Sequence, residues 1–397
     1  LDDDLDAYLA SAYGVNTVKP KALANWQETH EPFHWFVDFF AIMDKGGFDV
    51  IVGNPPYVNA AKVRKQYAPF CMRTKDAPDI YAWVMERSAS LLSKRGRMGM
   101  IVPLSLGFSR DFEGLRGVLY EGFAVNWFSS FGRIPSALFS FDVRVRNTIH
   151  LGSRASSDGE RTAWTSRLHR WFDIERPNLM PMMKYARYSP SLWGSRVPKF
   201  GEQSLLDAFE QKLVLPHRLA GELSERATPH LLYFKSTAYN WLNYCPEMPP
   251  CFDSKNNLIP HTQFGELWFR SEDQRWMAMA ILDSKLVFLL WAALGDDFHV
   301  TVGILKDVPV SADSLQSEHV RQLIKIGKTL AKQLPEVVSF KTNAGKRVGN
   351  YNLAMCRSIT DDADVVLMQS LDLEEAGEAI EIMYSQIVRT DFEENEE

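Results

Sequence analysis

The first 150 positions alternate between short apolar runs and apolar residues at helical spacing. The runs predict strands over 50–53, 98–102 and 124–128, and period-2 spacing predicts another over 143–151. Helical spacing predicts helices over 80–93 and 112–119. Alternating strands and helices are typical of a parallel α/β sheet, in which ligands bind at the carboxyl ends of strands. The run at 50–53 is predicted to be a buried strand of this sheet.

The remaining pattern is weaker. Residues 1–25 are predicted to form an acidic helix and a linker, with Asp2, Asp3, Asp4 and Asp6 where the helix dipole favours them. Residues 153–159 are small and polar, as in a linker. Near the carboxyl terminus the pattern predicts a helix over 315–334, a basic glycine-bearing loop over 339–352, helical structure over 363–388 and a frayed acidic tail over 391–397.

Composition indicates folded domains. Of the 397 residues 46% are apolar and 12% aromatic, which predicts large cores. The longest apolar stretch, 277–294, is interrupted by Asp283 and Lys285, so a membrane span is not expected. The four cysteines are scattered and form no Cys/His metal pattern, which favours reduced thiols in a cytoplasmic protein.

The charge is unevenly distributed. The chain has a net charge of −6, yet residues 61–200 hold 23 Lys and Arg against 11 Asp and Glu. A basic region within an acidic chain is what a phosphate-binding surface requires, although a solvated face would have the same composition.

Candidate chemistry is concentrated in residues 48–57, where the apolar run ends in Asn54-Pro55-Pro56-Tyr57. The side-chain oxygen of Asn54 and the carbonyl of Pro55 offer two acceptors beside the Tyr57 ring, and Pro56 stiffens the turn. Two acceptors that hold both hydrogens of an exocyclic amine favour a more localised nitrogen lone pair, which can attack an activated methyl group. Together with the ring, they suit a flipped-out adenine or cytosine.

This segment resembles motif IV of the DNA N6-adenine methyltransferases, and its surroundings resemble the large type IIG restriction–modification methylases. The resemblance extends over about residues 30–150, through Pro32-Phe33-His34-Trp35, Gly46-Gly47-Phe48-Asp49, Asp79-Ile80-Tyr81 and the run from Gly96 to Pro103. It implies that Asn54 and Pro55 hold the target amino group and that Tyr57 stacks on the base. The implied partner is double-stranded DNA.

The resemblance also implies S-adenosylmethionine as cofactor, bound by a glycine-rich turn that this sequence lacks. Gly345-Lys346-Arg347-Val348-Gly349 is the nearest candidate, and no apolar strand precedes it. Because the Asn54 corner comes within sixty residues of Leu1, we expect the amino-terminal part of the same polypeptide to carry the cofactor site. On its own, the chain is expected to be inactive.

The implied fold is α/β: the second half of a Rossmann-like methyltransferase sheet, followed by a mixed α/β target-recognition domain. The predicted domains are 1–152 (partial methyltransferase domain), 160–310 (target recognition) and 311–397 (helical region). The basic loop after the corner is the predicted DNA contact, through Lys62, Arg64, Lys65, Arg73 and Lys75. Seven further basic residues are candidates for contacts to phosphate or guanine: Arg161, Arg167, Arg170, Arg176, Arg187, Arg196 and Lys199.

Several alternatives stay open. A non-catalytic DNA-recognition subunit that depends on a missing partner would need the same base pocket, and RNA or protein-glutamine methylases share the Asn-Pro-Pro-Tyr chemistry. His30-Glu31-Pro32-Phe33-His34 has the spacing of a zinc-peptidase motif, which requires both histidines on one helix face. Pro32 opposes that helix, so a structural segment is favoured.

Overall fold

The computed structural model describes residues 1–64, 66–67, 69–139, 145–155 and 159–388. The helices are α1 (Asp2–Ala12), α2 (Pro20–His30), α3 (Trp35–Asp38), α4 (Phe40–Met43), α5 (Tyr81–Leu91), α6 (Ser105–Phe108), α7 (Glu113–Gly122), α8 (Gln203–Leu213), α9 (Glu272–Leu282), α10 (Lys285–Leu294), α11 (Ser317–Gln333), α12 (Arg357–Ser370) and α13 (Gly377–Ile387). The strands are β1 (Phe48–Gly53), β2 (Leu92–Pro103), β3 (Val125–Phe131), β4 (Asn147–Ser153), β5 (Thr162–His169), β6 (Tyr185–Tyr188), β7 (Leu231–Lys235), β8 (Tyr244–Cys245), β9 (Cys251–Phe252), β10 (Leu258–Ile259), β11 (Phe264–Trp268), β12 (Val338–Asn343) and β13 (Lys346–Tyr351).

The largest sheet of the described residues has the strand order β1-β2-β4-β3-β5-β6. Strands β1 and β2 are parallel, with Ile51 opposite Met98 and Gly53 opposite Met100. Helix α5 makes the crossover between them, as a parallel pair of strands requires. The predicted α/β fold is confirmed, and so are the strands predicted over 50–53, 98–102 and 124–128 and the helices predicted over 80–93 and 112–119. The last predicted strand appears as β4, while Val143 at its predicted start lies outside the described residues.

The prediction that the strand before the corner is buried is wrong. Strand β1 forms as expected, but Val50 is 58% exposed and Val52 is 78% exposed. Val50 and Val52 point to the same face of the sheet, because successive side chains of a strand alternate between its two faces, and the described residues leave this face largely uncovered. An apolar run is consistent with a strand buried on both faces, but it does not show what covers those faces.

Contacts divide the chain into two compact units, residues 1–128 with 148–163 and residues 129–147 with 164–397. In the second unit, α9 and α10 form much of the core, and every residue of α10 is buried. The Oγ atoms of Ser271 and Ser284 accept backbone hydrogen bonds at the starts of these two helices. The predicted division into three domains remains a prediction.

Within the described residues, no single helix is long and apolar enough to cross a membrane. Helices α9 and α10 together reach that length and hydropathy, but they meet at a 67° bend. The four cysteines are free thiols, three of them buried and Cys71 exposed.

One prediction near the carboxyl terminus is wrong. Residues 339–352, expected to be a loop, form most of the hairpin of β12 and β13. Residues 363–388, expected to be helical, lie mostly in α12 and α13, which confirms that prediction; a break at which Asp372 has φ 49° separates the two helices. The helix predicted over 315–334 is confirmed as α11. Tail residues 391–397 lie outside the described residues.

The predicted acidic helix and linker are two helices, α1 and α2, joined by residues 13–19. Helix α2 ends at His30 and Glu31 has φ 42°, so His30 and His34 do not share a helix face. The His34 ring instead contacts Asp6 (Nε2 to Oδ1, 2.8 Å), and the His30 ring stacks on Trp26. The zinc-peptidase spacing therefore does not form the helical motif, as Pro32 predicted.

Candidate functional site

The four corner residues lie at the carboxyl end of β1, beside the end of the parallel strand β2. Asn54 and Pro56 are exposed, Pro55 is buried and Tyr57 is half-buried. Among the described residues, no hydrogen bond engages the Asn54 side chain. Its amide oxygen therefore remains available to an incoming donor, as the sequence interpretation requires.

Tyr57 is fixed by its hydroxyl group. The phenolic Oη donates to the Ile101 carbonyl of β2 at 2.9 Å, and this bond joins the corner to the neighbouring strand. With the hydroxyl anchored, the ring has little freedom to rotate away from the corner. It also meets the buried Tyr81 edge to face, with ring centroids 6.5 Å apart.

Tyr81 begins α5 and extends the aromatic row inwards. Its ring stacks on Phe112 at 4.8 Å, and its hydroxyl lies 3.1 Å from Ser105 Oγ. Burial raises the pKa of Tyr81. The hydroxyl therefore stays protonated, and Tyr81 serves as a rigid neutral support for Tyr57.

Asp79 is a candidate residue that the sequence analysis did not select. The segment after the corner pairs with the segment before α5 through an antiparallel bridge between Asn59 and Asp79 and a 3.0 Å bond from Ile80 N to Val58 O. Burial raises the pKa of the Asp79 carboxyl, and among the described residues no hydrogen bond reaches it. An acid directly before an apolar helix is a visible signal, but the sequence analysis used Asp79 only as part of the stretch Asp79-Ile80-Tyr81 that carries the family resemblance.

Two of the predicted DNA contacts have partners within the protein. Arg64 donates from Nη2 to Ala77 O at 2.9 Å, and its guanidinium lies 5.9 Å from the Trp83 ring. Arg73 forms a two-pronged ion pair with Glu121, and this carboxylate raises the pKa of Arg73. Both arginines remain exposed, but each would have to share its charge with these partners.

Lys62 and Lys75 are exposed side chains on the same loop, and Lys65 lies outside the described residues. The end of the loop is held against α5, because the Glu86 carboxylate accepts hydrogen bonds from Arg73 N, Thr74 N and Thr74 Oγ. Lys75 therefore follows a segment that is held against α5, and Lys62 and Lys75 remain predicted DNA contacts.

Two of the predicted basic contacts further along the chain, Arg170 and Lys199, are buried. Arg170 is 1% exposed and contacts Asp297, Asn240 and the Tyr239 carbonyl. Lys199 is 2% exposed and donates to Ala293 O and Gly295 O, and burial lowers its pKa to about 7. The expectation that these two could touch nucleic acid is wrong, because their charges are used to satisfy buried backbone carbonyls and Asp297.

One groove in the described part of the chain lies along β1, away from the corner. It has a volume of about 600 Å³ and is lined mainly by apolar side chains of β1 and α5. Lining residues include Trp35, Val50, Val52, Trp83 and Val84. Within the described residues no group of three or more His, Cys, Asp or Glu side chains is placed to hold a metal ion.

The amino-terminal third of the chain is similar in sequence to known proteins. Residues 9–134 match the family described as Eco57I restriction-modification methylase. The putative type II restriction enzyme and methyltransferase RM.MjaORFECS2P of Methanocaldococcus jannaschii is 38% identical over 125 residues, covering 29% of this chain and 10% of that protein. The type II methyltransferase M.PaeR7I of Pseudomonas aeruginosa is 31% identical over 130 residues, covering 32% of this chain and 22% of that protein.

Solved structures with similar features include the type IIL restriction-modification enzyme MmeI in complex with DNA, with TM-score 0.45 and 10% identity over 91% of this chain and 59% of that chain. The type IIG restriction endonuclease BpuSI has TM-score 0.34 and 11% identity over 87% of this chain and 55% of that chain. The sequence matches confirm the resemblance that the Asn54 corner predicted. Residues 9–134 of this chain are similar to the Eco57I restriction-modification methylase family, and the chain spans 10% and 22% of the lengths of the two curated relatives.

Proposed function

We propose that this chain supplies the target-base pocket of a DNA methyltransferase that modifies the N6 amine of adenine and belongs to a restriction–modification or phage-defence protein. The observation that carries the proposal is the corner itself. Asn54 presents an amide that has no hydrogen-bond partner among the described residues, at the end of a parallel strand and next to an aromatic ring that Ile101 holds in place.

In this proposal the corner prepares the amine for reaction. Asn54 Oδ1 and the Pro55 carbonyl each accept one amino hydrogen of the flipped base, while Tyr57 stacks on its ring. Base–aromatic stacking of this kind contributes about 1–3 kcal/mol. Holding both hydrogens draws the nitrogen lone pair out of conjugation with the ring and directs it towards the methyl donor.

S-adenosylmethionine, as the proposed cofactor, would supply the methyl group. The described residues do not fit the glycine-rich cofactor turn, because Gly345–Gly349 lies at the tip and in the second strand of a hairpin rather than between a strand and a helix. We therefore assign this chain the base side of the reaction, separate from the binding of the cofactor.

The exposed edge of β1 supports this division. Val50 and Val52 present apolar side chains to solvent, and the adjoining groove of about 600 Å³ has mainly apolar walls. Exposed edge strands of this kind pair readily with another strand. In the intact natural protein, we expect the β1 amide hydrogens to exchange more slowly than in this chain alone; equal exchange rates would contradict coverage of this edge.

The decisive test replaces Asn54 in the intact natural protein. Asn54→Ala should lower methyl transfer to duplex DNA by about 10²–10³-fold, the usual effect of removing one hydrogen-bonding group aimed at the reacting atoms. DNA affinity should remain within about twofold. Asn25→Ala is the matched control, because Asn25 is an exposed asparagine on helix α2.

Nucleoside analysis of the methylated DNA identifies the target. N6-methyladenine is the expected product, whereas N4-methylcytosine would contradict the proposed base. Full turnover by the Asn54→Ala protein would remove this residue from the pocket. Competition by an RNA or a protein substrate in place of duplex DNA would favour the other methylase classes that share the corner.

A further inference from the structure

The hairpin of β12 and β13 is a defined structural element with a basic composition. Its strands pair from Val338 opposite Tyr351 to Asn343 opposite Lys346. The two turn residues, Ala344 and Gly345, have φ values of 49° and 74°, as in the type I′ turns that match the twist of paired strands. Every residue from 339 to 347 is exposed, so the tip projects into solvent.

The two faces of the hairpin differ in character. On one face, the Arg347 guanidinium lies between Phe252 and Phe340, 4.7 Å from each ring centroid. That arginine packs within the sheet. Cross-strand pairing places Lys341, Asn343, Lys346 and Asn350 on the other face, which is therefore polar and positively charged.

The hairpin places lysines on this second face and contributes no carboxylate to it. Residues 338–352 contain three basic residues and no acidic one. Lys235 donates to Asn350 Oδ1 at 2.8 Å, and burial together with the charge of Lys341 lowers the pKa of Lys235 to about 8. Asp253, in the turn between β9 and β10, accepts hydrogen bonds from Lys255 and Asn257 of its own turn.

A small cavity opens beside this face. Its volume is about 170 Å³, and its lining includes His261, Gln263, Asn343 and Lys346. His261 is held by a contact of 3.2 Å between its Nε2 atom and Gly349 O. Ammonium and amide donors around a shallow cavity, with no carboxylate among its lining residues, suit the oxygens of a phosphate group.

We propose that the basic face of this hairpin, through Lys341, Asn343 and Lys346, binds the phosphate backbone of double-stranded DNA. The inference rests on the proposed DNA-modifying function and adds a contact surface outside residues 160–310, where target recognition was predicted. Contacts to phosphate position a protein on DNA without reading its sequence. The hairpin would accordingly add affinity and leave the choice of bases to other residues.

The test measures binding of this chain to a 30-base-pair duplex by fluorescence anisotropy over a range of salt concentrations. The variant Lys341→Glu/Lys346→Glu should weaken binding at least about tenfold and make the log–log salt slope shallower by about 2, since each lysine–phosphate contact contributes about 1. Lys306→Glu/Lys325→Glu is the matched control, because it makes the same charge change at exposed lysines of the same compact unit.

A neutral variant, Lys341→Gln/Lys346→Gln, provides a second measurement should the charge reversal disturb folding, and circular dichroism verifies each protein. It should also make the slope shallower by about 2. Binding by both hairpin variants equal to that of the control would overturn the inference, as would failure of the unaltered chain to bind duplex DNA. Hairpin-dependent binding by an intact protein that methylates no base would overturn the proposed function and leave the inference standing.

Discussion

The Tyr57 hydroxyl and the Ile101 carbonyl, joined at 2.9 Å, connect the Asn-Pro-Pro-Tyr corner to the end of the neighbouring parallel strand. The bond fixes the ring through its hydroxyl group. Ring orientation and base contact are therefore separable by mutation, because the hydroxyl can be removed while the ring remains.

Replacement of Tyr57 by Phe and by Ala in the intact protein should have different effects. Tyr57→Phe removes one hydrogen bond worth about 1 kcal/mol and should slow single-turnover methyl transfer about fivefold. Tyr57→Ala also removes the stacking surface, worth about 1–3 kcal/mol, and should slow it by a further factor of about 10–100. Equal rates for the two variants would show that the ring does not stack on the base.

Charge reversal at Lys62 and Lys75 should weaken DNA binding. Both side chains are exposed on a loop held against α5, so Lys62→Glu/Lys75→Glu should make the salt slope of binding shallower by about 2. Arg73→Gln, which removes a cation already paired with Glu121, should change the slope by less than about 1. A larger effect of Arg73→Gln than of the double variant would mean that Arg73 breaks its ion pair with Glu121 and contacts DNA instead.

Replacement of Val52 by Lys should reduce self-association of the isolated chain. Val52 is 78% exposed on an edge strand, where a lysine discourages pairing with another chain. Because the side chain is largely in solvent, the free energy of unfolding should change by less than about 0.5 kcal/mol. Sedimentation velocity measures the association, and Lys62→Ala serves as an exposed control from the same compact unit.

Unchanged association of the Val52→Lys chain would exclude the β1 edge as the surface that pairs. In the intact protein the same variant should lower thermal stability if another strand covers β1, since a lysine would then be buried. The two measurements together distinguish an exposed edge from a covered one.

His150 should make stability depend on pH. Burial lowers its pKa to about 3 from an ordinary 6.5, and its ring contacts neutral groups, the Phe123 and Phe128 rings and, at 2.9 Å, Asn126 Oδ1. The unfolded chain therefore binds one more proton between about pH 3 and 6.5. The contribution to stability is complete above pH 6.5 and is lost as the pH falls, by about 1.4 kcal/mol per pH unit.

Replacement by Gln removes this titration while retaining a donor for Asn126. Between pH 4 and 6, the free energy of unfolding should therefore rise less steeply with pH in His150→Gln than in the unaltered protein, by about 1.4 kcal/mol per unit. Urea unfolding at a series of pH values measures both slopes. Parallel slopes would show that His150 titrates normally in the folded protein.

Features that depend on consecutive residues could be predicted from the sequence. The apolar run of β1, the Pro-Pro corner, the crossover helix α5 and the amphipathic α11 each follow from side-chain periodicity and from the backbone limits of proline. The failure of the His30–His34 spacing to form a zinc-binding helix also followed from Pro32 alone. The Asn54–Tyr57 corner and its family resemblance belong to this local information.

Features that depend on distant residues were decided by the tertiary structure. The sequence alone could not show that β1 lies at a sheet edge, that Asp297 and two backbone carbonyls withdraw Arg170 and Lys199 from solvent, or that residues 339–352 pair as a hairpin. The exposure of a side chain and the pairing of its charge depend on which distant residues the fold brings next to it. The sequence determined which local elements could form, whereas packing determined which faces and charges remained available to a ligand.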